Sequence, residues 1–462
     1  MKLNPFRKES LERYLGTDKH FVKTLGAFDL LTIGIGAVIG TGIFILPGTV
    51  AAKEAGPGVT LSFLIAALVC TLASMCYAEL SSSIPVAGSA YSYGNILYGE
   101  VIGWILGWAL ILEYMLSVAA VSAGWASYFN SLLHSFGLHI PHHFEGPFDP
   151  LNGTYLNLWA SISVLLIGIL LSRGMKASMK FNNVAVLIKI AIIFIFIGVG
   201  LFFIKPKNYQ SFTPYGTTGV LRGATTVFFA FLGFDVVSSS AAEVKNPKKN
   251  MPIGIIGTLI VAALLYMGVS VVLTGMVNYK QLDVANPVAY ALKVVNQGWV
   301  ADLLSIGAIV GMSTMMLTMI YSSSRLIYSI GRDGLLPSFL GKIDKHGLPE
   351  NALWIVTIVI AIMGGLFSLE ELTSLVSIGT LLAFTFVSFG VILLRRRKDI
   401  PEGDFKVPFY PVIPILSGLA CIGMMCFLSV KTYIFASIWF LFGLFIYCVY
   451  GYEHSKISKR NN

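Results

Sequence analysis

Charge is what this sequence has least of: 12% of its 462 residues are Asp, Glu, Lys or Arg, against 56% hydrophobic. A soluble domain carries about 25% charge, so a soluble fold is excluded as the main body. Long polar segments are missing too. The longest are the first 25 or so residues, the loop around 130–155 and the segment 395–408. None reaches the ~50 residues a domain of its own needs. A signal peptide is not expected, because the first 23 residues carry six Lys or Arg and no apolar core; insertion is expected to rely on the first apolar span. Cysteine is scarce, with Cys70, Cys76, Cys421, Cys426 and Cys448 all inside apolar stretches and without metal-ligand spacing. They read as small buried hydrophobes. No Ser/His/Asp set, phosphate-binding loop or Cys/His ligand set falls within those stretches, which argues against an enzyme and against nucleotide-driven pumping. The histidines (His20, His134, His139, His142, His143, His346 and His454) are expected in loops or tails, and the group at 134–143 reads as a solvated external loop.

Apolar runs, in contrast, fill the chain, and the mean hydropathy is +0.77. A helix crosses the hydrocarbon with about 20 apolar residues. Twelve stretches qualify: 27–51, 58–80, 98–128, 156–172, 183–204, 220–242, 253–277, 300–328, 352–368, 373–394, 410–429 and 432–452. Cytoplasmic loops are enriched in Lys and Arg. With the amino terminus inside, 24 of the 32 Lys and Arg fall in inside segments and six outside; Lys189 and Arg222 lie within spans. Both termini are therefore expected in the cytoplasm. The net charge of +9 reads as a topology signal, with no case for nucleic acid. The run Arg395-Arg396-Arg397-Lys398 is expected to meet anionic headgroups.

Two spans carry glycine-rich interruptions at matching places. Span one contains Gly34-Ile35-Gly36-Ala37-Val38-Ile39-Gly40-Thr41-Gly42-Ile43-Phe44, and span six Phe228-Phe229-Ala230-Phe231-Leu232-Gly233-Phe234-Asp235. Interrupted spans at corresponding positions of two halves point to a transporter's midplane site, and unwound backbone at membrane depth is tolerated only where it is buried or lines a cavity. A break at Gly40-Thr41-Gly42 would present free N–H groups, suited to a carboxylate, on its outer half. Its inner half would present free carbonyls, suited to an ammonium. An α-amino acid carries both groups. Close helix packing is the other reading of these glycines, since Gly36 and Gly40 fit the small-xxx-small spacing.

Here the sequence resembles the amino acid–polyamine–organocation superfamily, in its bacterial cationic-amino-acid-transporter-like branch. The resemblance rests on the two interrupted segments, on Pro85-Val86-Ala87-Gly88-Ser89-Ala90-Tyr91, on Glu243-Val244-Lys245-Asn246-Pro247 and on Ile330 to Pro337, in the family's order over nearly the whole chain. Ala242 departs from the pattern, where a second Glu is usual beside Glu243. The resemblance implies an all-α membrane protein of twelve transmembrane helices in the leucine-transporter fold, with helices one and six broken. It implies two inverted five-helix repeats at 27–204 and 220–394, a basic loop at 395–409, two further helices at 410–452, and cytoplasmic ends at 1–26 and 453–462. It also implies a substrate-binding set of Val38, Gly40, Thr41, Gly42, Phe229, Ala230 and Leu232. The N–H groups of Thr41 and Gly42 would hold the carboxylate, and the carbonyls of Val38, Phe229 and Leu232 the amine. Phe229 would also lie as a lid over the substrate.

Charges inside spans each ask for a reason, since one at a span centre costs about 2.5–3.5 kcal/mol on insertion scales. From position alone, Lys189 either serves a site or snorkels to the headgroups. The resemblance implies proton coupling, its ammonium bridging spans one and eight in place of a bound cation. Glu113, near the middle of span three, reads as lining the substrate or proton path or as making an interhelical hydrogen bond. Asp235 and Glu243 are candidates for gate contacts to Lys or Arg, and Arg222 for an interfacial position. Met319 is placed by the resemblance at the side-chain end of the pocket, though a Met in a span also packs. The expected function is proton-coupled amino acid uptake in a bacterial cell membrane, with no cofactor beyond the proton. The partners are an amino acid, a proton and the lipid bilayer. An exchanger or a membrane amino acid sensor are the alternatives. Small neutral, branched-chain and cationic substrates all stay open.

Overall fold

The computed structural model describes residues 6–17, 23, 25–86, 88–344 and 348–456. His20, His346 and the outermost parts of the two expected cytoplasmic ends lie outside the described residues. The described chain is helical, without strands beyond two isolated bridges, Leu25 with Val244 and Asp149 with Thr154. In chain order the helices are α1 Leu11–Thr17, α2 Ala27–Val38, α3 Thr41–Phe44, α4 Leu46–Val50, α5 Val59–Ser83, α6 Ala90–Leu97, α7 Glu100–Ser135, α8 Leu158–Ser172 and α9 Met175–Leu201. They continue as α10 Gly216–Phe228, α11 Val236–Ser239, α12 Pro247–Met276, α13 Pro287–Val294, α14 Gly298–Arg332, α15 Glu350–Leu366, α16 Leu369–Leu394, α17 Val412–Met425 and α18 Val430–Ile446.

Among the described residues, eight helical segments are long and apolar enough to cross a membrane, and four shorter apolar helices of 10–17 residues accompany them. Helical residues thus occupy each of the twelve apolar stretches, but the stretch 27–51 is not one helix. It breaks after Val38, and its end runs on through a π turn and a 3₁₀ turn into α5, giving one helical segment Leu46–Ser83.

Local chemistry fixes several helix starts. Asp29 Oδ2 accepts from the Gly26 N–H at 2.9 Å, which places a carboxylate against the positive end of α2. Ser368 and Glu371 form a reciprocal capping box at α16, with Glu371 N–H to Ser368 Oγ at 3.3 Å and Ser368 N–H to Glu371 Oε2 at 2.9 Å. The Asn157 side chain accepts from the Ala160 N–H at 3.2 Å to start α8.

Several of the packed helix pairs are related by one exchange. Exchanging α2 with α10, α5 with α12, α7 with α14, α8 with α15 and α9 with α16 carries the packed pair α2/α12 into α10/α5 and the pair α9/α14 into α16/α7. The pairs α5/α12, α7/α14 and α8/α15 map onto themselves. Helices α17 and α18 stand outside this exchange and lean on α16. In lipid, apolar burial does not drive helices together, so close approach and interhelical hydrogen bonds carry the packing. Gly443 lets α18 sit against the Trp108 ring, and the indole N–H groups of Trp104 and Trp108 donate to the Gly443 and Trp439 carbonyls at 2.9 Å. Helix α7 is mostly buried, whereas α9 and α18 present long apolar faces outward. The peripheral position of α17 and α18 corrects the expectation for two cysteines: Cys426 and Cys448 are exposed, and Cys70, Cys76 and Cys421 are buried. His134 likewise lies in the last turn of α7 and not in a loop.

Candidate functional site

The two interruptions meet. Helix α2 stops at Val38, Ile39 turns to extended backbone (φ −83°, ψ 96°), and α3 restarts at Thr41 after Gly40. In the second interruption α10 passes into a single 3₁₀ turn, Phe229–Phe231, and Leu232 is extended (φ −66°, ψ 141°). Gly233 then takes φ +112° before α11 begins. A side chain at Gly233 would be strained in that conformation and would also sit 2.8 Å from the Ala37 carbonyl oxygen. A Cβ at Gly42 would lie 2.6 Å from Ala230 Cβ and 2.7 Å from Ala230 Cα, so the breaks touch through bare backbone. Gly40 does the same against the Met315 sulfur, 2.2 Å from where its Cβ would be. These glycines therefore serve close packing as well as the break.

All seven expected substrate-binding residues are brought together here and are buried. Thr41 and Gly42 open a helix, so their N–H groups have no acceptor within it. The buried Thr41 hydroxyl has no partner among the described residues. The Phe229 carbonyl accepts the Leu232 N–H at 3.2 Å within the 3₁₀ turn. Tyr266 of α12, which the sequence did not single out, places its hydroxyl 2.9 Å from the Val38 carbonyl and 2.7 Å from the Ala230 carbonyl. A phenol has one proton to donate, so it serves one of these carbonyls at a time and ties the two breaks together. A tyrosine in an otherwise apolar span was the available signal.

Lys189 is fully buried on α9. Its Nζ lies 2.8 Å from the Ile39 carbonyl, 3.2 Å from that of Ile35 and 3.4 Å from that of Gly36, all at the end of α2. On α14 it meets the Thr314 hydroxyl at 2.8 Å and the Gly311 carbonyl at 3.5 Å. It does not snorkel, and none of these partners carries a charge. Carbonyl groups freed where a helix ends are natural acceptors for an ammonium.

Glu113 sits mid-way along α7, fully buried; neither carboxyl oxygen meets full hydrogen-bond geometry among the described residues, and the Thr380 side chain of α16 is the polar group that approaches the carboxyl. Asp235 lies within electrostatic reach of it. Among the described residues Asp235 does not pair with Lys or Arg; it accepts from the Tyr114 hydroxyl at 2.5 Å. Glu243 does pair, with Arg325 of α14, and also accepts from the Tyr321 hydroxyl at 3.3 Å. Met319 is buried, with its methyl 2.8 Å from where a Gly233 Cβ would stand, so it abuts the second break. Arg222 is exposed and lines a cavity with Glu54 and Glu370. A neighbouring cavity of about 360 Å³ reaches from Ile45, at the end of α3, to Lys53, Asp283 and Glu370. Lys53 spans its rim, 3.4 Å from Asp283 and 3.6 Å from Glu370.

Helices of this length and composition, packed around two touching breaks, define a multi-pass membrane protein built around a buried polar centre. The chain belongs to the amino acid permease family, whose model matches residues 25–455. It is 48% identical to the methylthioribose transporter of Bacillus subtilis (strain 168), over 98% of this chain and 99% of that one. It is 44% identical to the branched-chain amino acid permease BcaP of the same organism, over 99% and 100%. It is also 34% identical to cationic amino acid transporter 4 of Mus musculus, over 87% of this chain and 64% of that one. These relatives are transporters and not enzymes.

Proposed function

We propose that this protein carries an amino acid across the bacterial cell membrane together with a proton, by alternating access. The observation that carries the reading is the Lys189 ammonium, buried and held by carbonyls of the first break on one side and by α14 on the other. A cation there stabilises the unwound end of α2; on its loss the Ile39 carbonyl loses its 2.8 Å donor, while Ile35 keeps the Ile39 N–H and Gly36 the Thr314 hydroxyl, so protonation and the shape of the break at Ile39 are linked. The leucine-transporter arrangement is proposed with it: twelve spans, repeats at 27–204 and 220–394, both termini cytoplasmic. The exchange relation among the packed helix pairs supports the two repeats. The Lys and Arg distribution supports the orientation.

In this reading the N–H groups of Thr41 and Gly42 take the carboxylate, while the carbonyls of Val38, Phe229 and Leu232 face the amine. Tyr266 keeps the breaks in register by occupying the Val38 or Ala230 carbonyl. Phe229 covers the substrate, and Glu113 and Met319 border its side chain. The branched-chain and cationic relatives point to an α-amino acid. The 48% identical relative favours a second reading, because methylthioribose is a neutral sugar with neither carboxylate nor ammonium.

Uptake into proteoliposomes under an imposed inward proton gradient tests both. Labelled amino acids and labelled methylthioribose are screened singly. Accumulation of one amino acid that collapses with a protonophore is expected. Uptake of methylthioribose alone would replace the amino acid reading. Entry of label only against internal amino acid, indifferent to the gradient, would make the protein an exchanger and remove the role of Lys189.

A further inference from the structure

We propose that Asn182 holds a water and, with Thr32 and Asn183, forms the route by which Lys189 releases its proton toward the cytoplasmic side; this rests on the proton-coupled reading above. Asn182 precedes Lys189 by seven residues, two turns along the same face of α9. Lysine side chains on a helix lean toward its amino-terminal end, which here is toward Asn182.

Asn182 is fully buried. Its Nδ2 donates to the Thr32 carbonyl at 3.4 Å, while its Oδ1 has no hydrogen-bond partner among the described residues. Oδ1 lies against the bare backbone of Gly36, where a Cβ would come within 2.7 Å of it. The carbonyl of that same Gly36 is 3.4 Å from Lys189 Nζ and 3.4 Å from the Thr314 hydroxyl. A buried amide oxygen without a donor is costly, and the usual remedy is an ordered water. Below it the polar line continues. The Thr32 hydroxyl is 2.9 Å from Asn183 Oδ1 and 2.9 Å from the Asp29 carbonyl. Exposure rises along the line, from Lys189 and Asn182 at 0% through Thr32 at 3% to the half-buried Asn183.

The neighbours leave the proton little choice. Helices α2, α8, α12 and α14 pack on α9. The hydrogen-bond partners of Nζ come from α2 and α14 and are carbonyls and one hydroxyl, none of them titratable. Glu113 and Asp235 sit instead on α7 and beside α11, where Tyr114 engages Asp235. The step balances simply. The ammonium gives one proton to the water at Asn182 Oδ1 and becomes a neutral amine, and that water passes one proton on toward Asn183 and bulk solvent.

The test uses the full chain in proteoliposomes with a mixture of the twenty ¹⁴C-labelled amino acids. Two rates are compared: exchange at equal pH, which needs no net proton release, and net accumulation under an inward proton gradient. Asn182→Leu fills the water's place with apolar atoms. Net accumulation is expected to fall about tenfold or more, the scale of losing a buried polar partner, while exchange stays within about twofold of the parent. Asn182→Ser, which leaves room and polarity for a water, is expected to restore net accumulation. A parallel fall of both rates in both variants assigns Asn182 to packing and overturns the route. So does unchanged accumulation in Asn182→Leu when the parent protein accumulates normally. Failure of the parent to respond to the gradient overturns proton coupling itself, and the route with it.

Discussion

Replacing Gly42 by alanine tests the contact between the two breaks directly. The new Cβ would stand 2.6 Å from Ala230 Cβ and 2.7 Å from Ala230 Cα. Carbon atoms settle at about 3.5–4.0 Å, so the breaks would have to part by about 1 Å. Extra methyl groups forced into a packed site cost about 1–3 kcal/mol. With a tenfold change for every 1.4 kcal/mol or so, the touching arrangement becomes roughly 5- to 150-fold less populated. Proteoliposome uptake by Gly42→Ala is predicted to fall by that factor. Thermal unfolding in detergent separates this loss from misfolding. Gly198→Ala on α9 is the control, since nothing lies within 4 Å of its Cβ position; it should transport normally. Adding Ala230→Gly to Gly42→Ala removes the nearer contact and leaves the one to Cα, so partial recovery is expected. A folded Gly42→Ala protein that transports at the parent rate would refute the claim that the two breaks work in contact.

Further outcomes follow from the same geometry. Lys189→Ala is predicted to abolish proton-driven accumulation in the uptake assay, because the α2 carbonyls lose their cation; normal gradient-driven uptake would sink the coupling role. Tyr266→Phe removes the single proton shared by the Val38 and Ala230 carbonyls. Interhelical hydrogen bonds in membranes are worth about 0.6 kcal/mol and at most about 1.7, so apparent KM should rise by roughly 3- to 20-fold with the fold intact in a melting curve. Arg325→Ala should leave Glu243 without its charged partner and make an engineered cysteine at Ser238 more reactive to a water-soluble thiol reagent; reversing the pair, Glu243→Arg with Arg325→Glu, should restore part of the protection. Met319→Ala opens room beside Gly233, at a stability cost of about 2–5 kcal/mol for a buried Met. Competition uptake should shift toward longer side chains, and an unchanged selectivity profile would place Met319 outside the pocket.

The breaks were legible in the sequence because glycine clustering and local backbone freedom are local properties. Gly40 and Gly233 advertise them without reference to anything distant. What ties the two breaks to each other was not legible, because it is long-range: Tyr266 reaches Val38 across 228 positions. The equally distant contact of Lys189 with Ile39, across 150 positions, was expected only through the family resemblance. Hydropathy also counts apolar residues without knowing where a helix stops. The interruption within 27–51 was expected, but hydropathy did not show that the helix after it runs on through the turns at 51–58 into α5. Cys426 and Cys448 show the converse limit. Their apolar surroundings were correct, but in a membrane an apolar neighbourhood does not distinguish a residue packed inside from one facing outward, and α17 and α18 lie at the rim.

Under the proposed orientation the two sides of the site are sealed unequally, and this bears on the order of events. On the inner side Arg325 and Glu243 pair at 9% and 13% side-chain exposure, with the Tyr321 ring 4.4 Å from the guanidinium. Arg7 and Glu100 pair at 9% and 0% exposure, and Tyr447 and Ser455 add hydroxyl donors to Glu100. Separating a buried pair strands a desolvated charge and costs about 3–5 kcal/mol when one partner is lost. On the outer side Lys53 faces Asp283 and Glu370 at 47%, 52% and 85% exposure. Such pairs are worth about 0–1 kcal/mol and are screened by salt. In the proposed transport cycle the outer rim would therefore yield first and admit the substrate, and the inner seal would open only when binding between the breaks supplies the difference. That ordering is what net import requires, since a carrier that released its inner seal without substrate would leak the proton gradient it depends on.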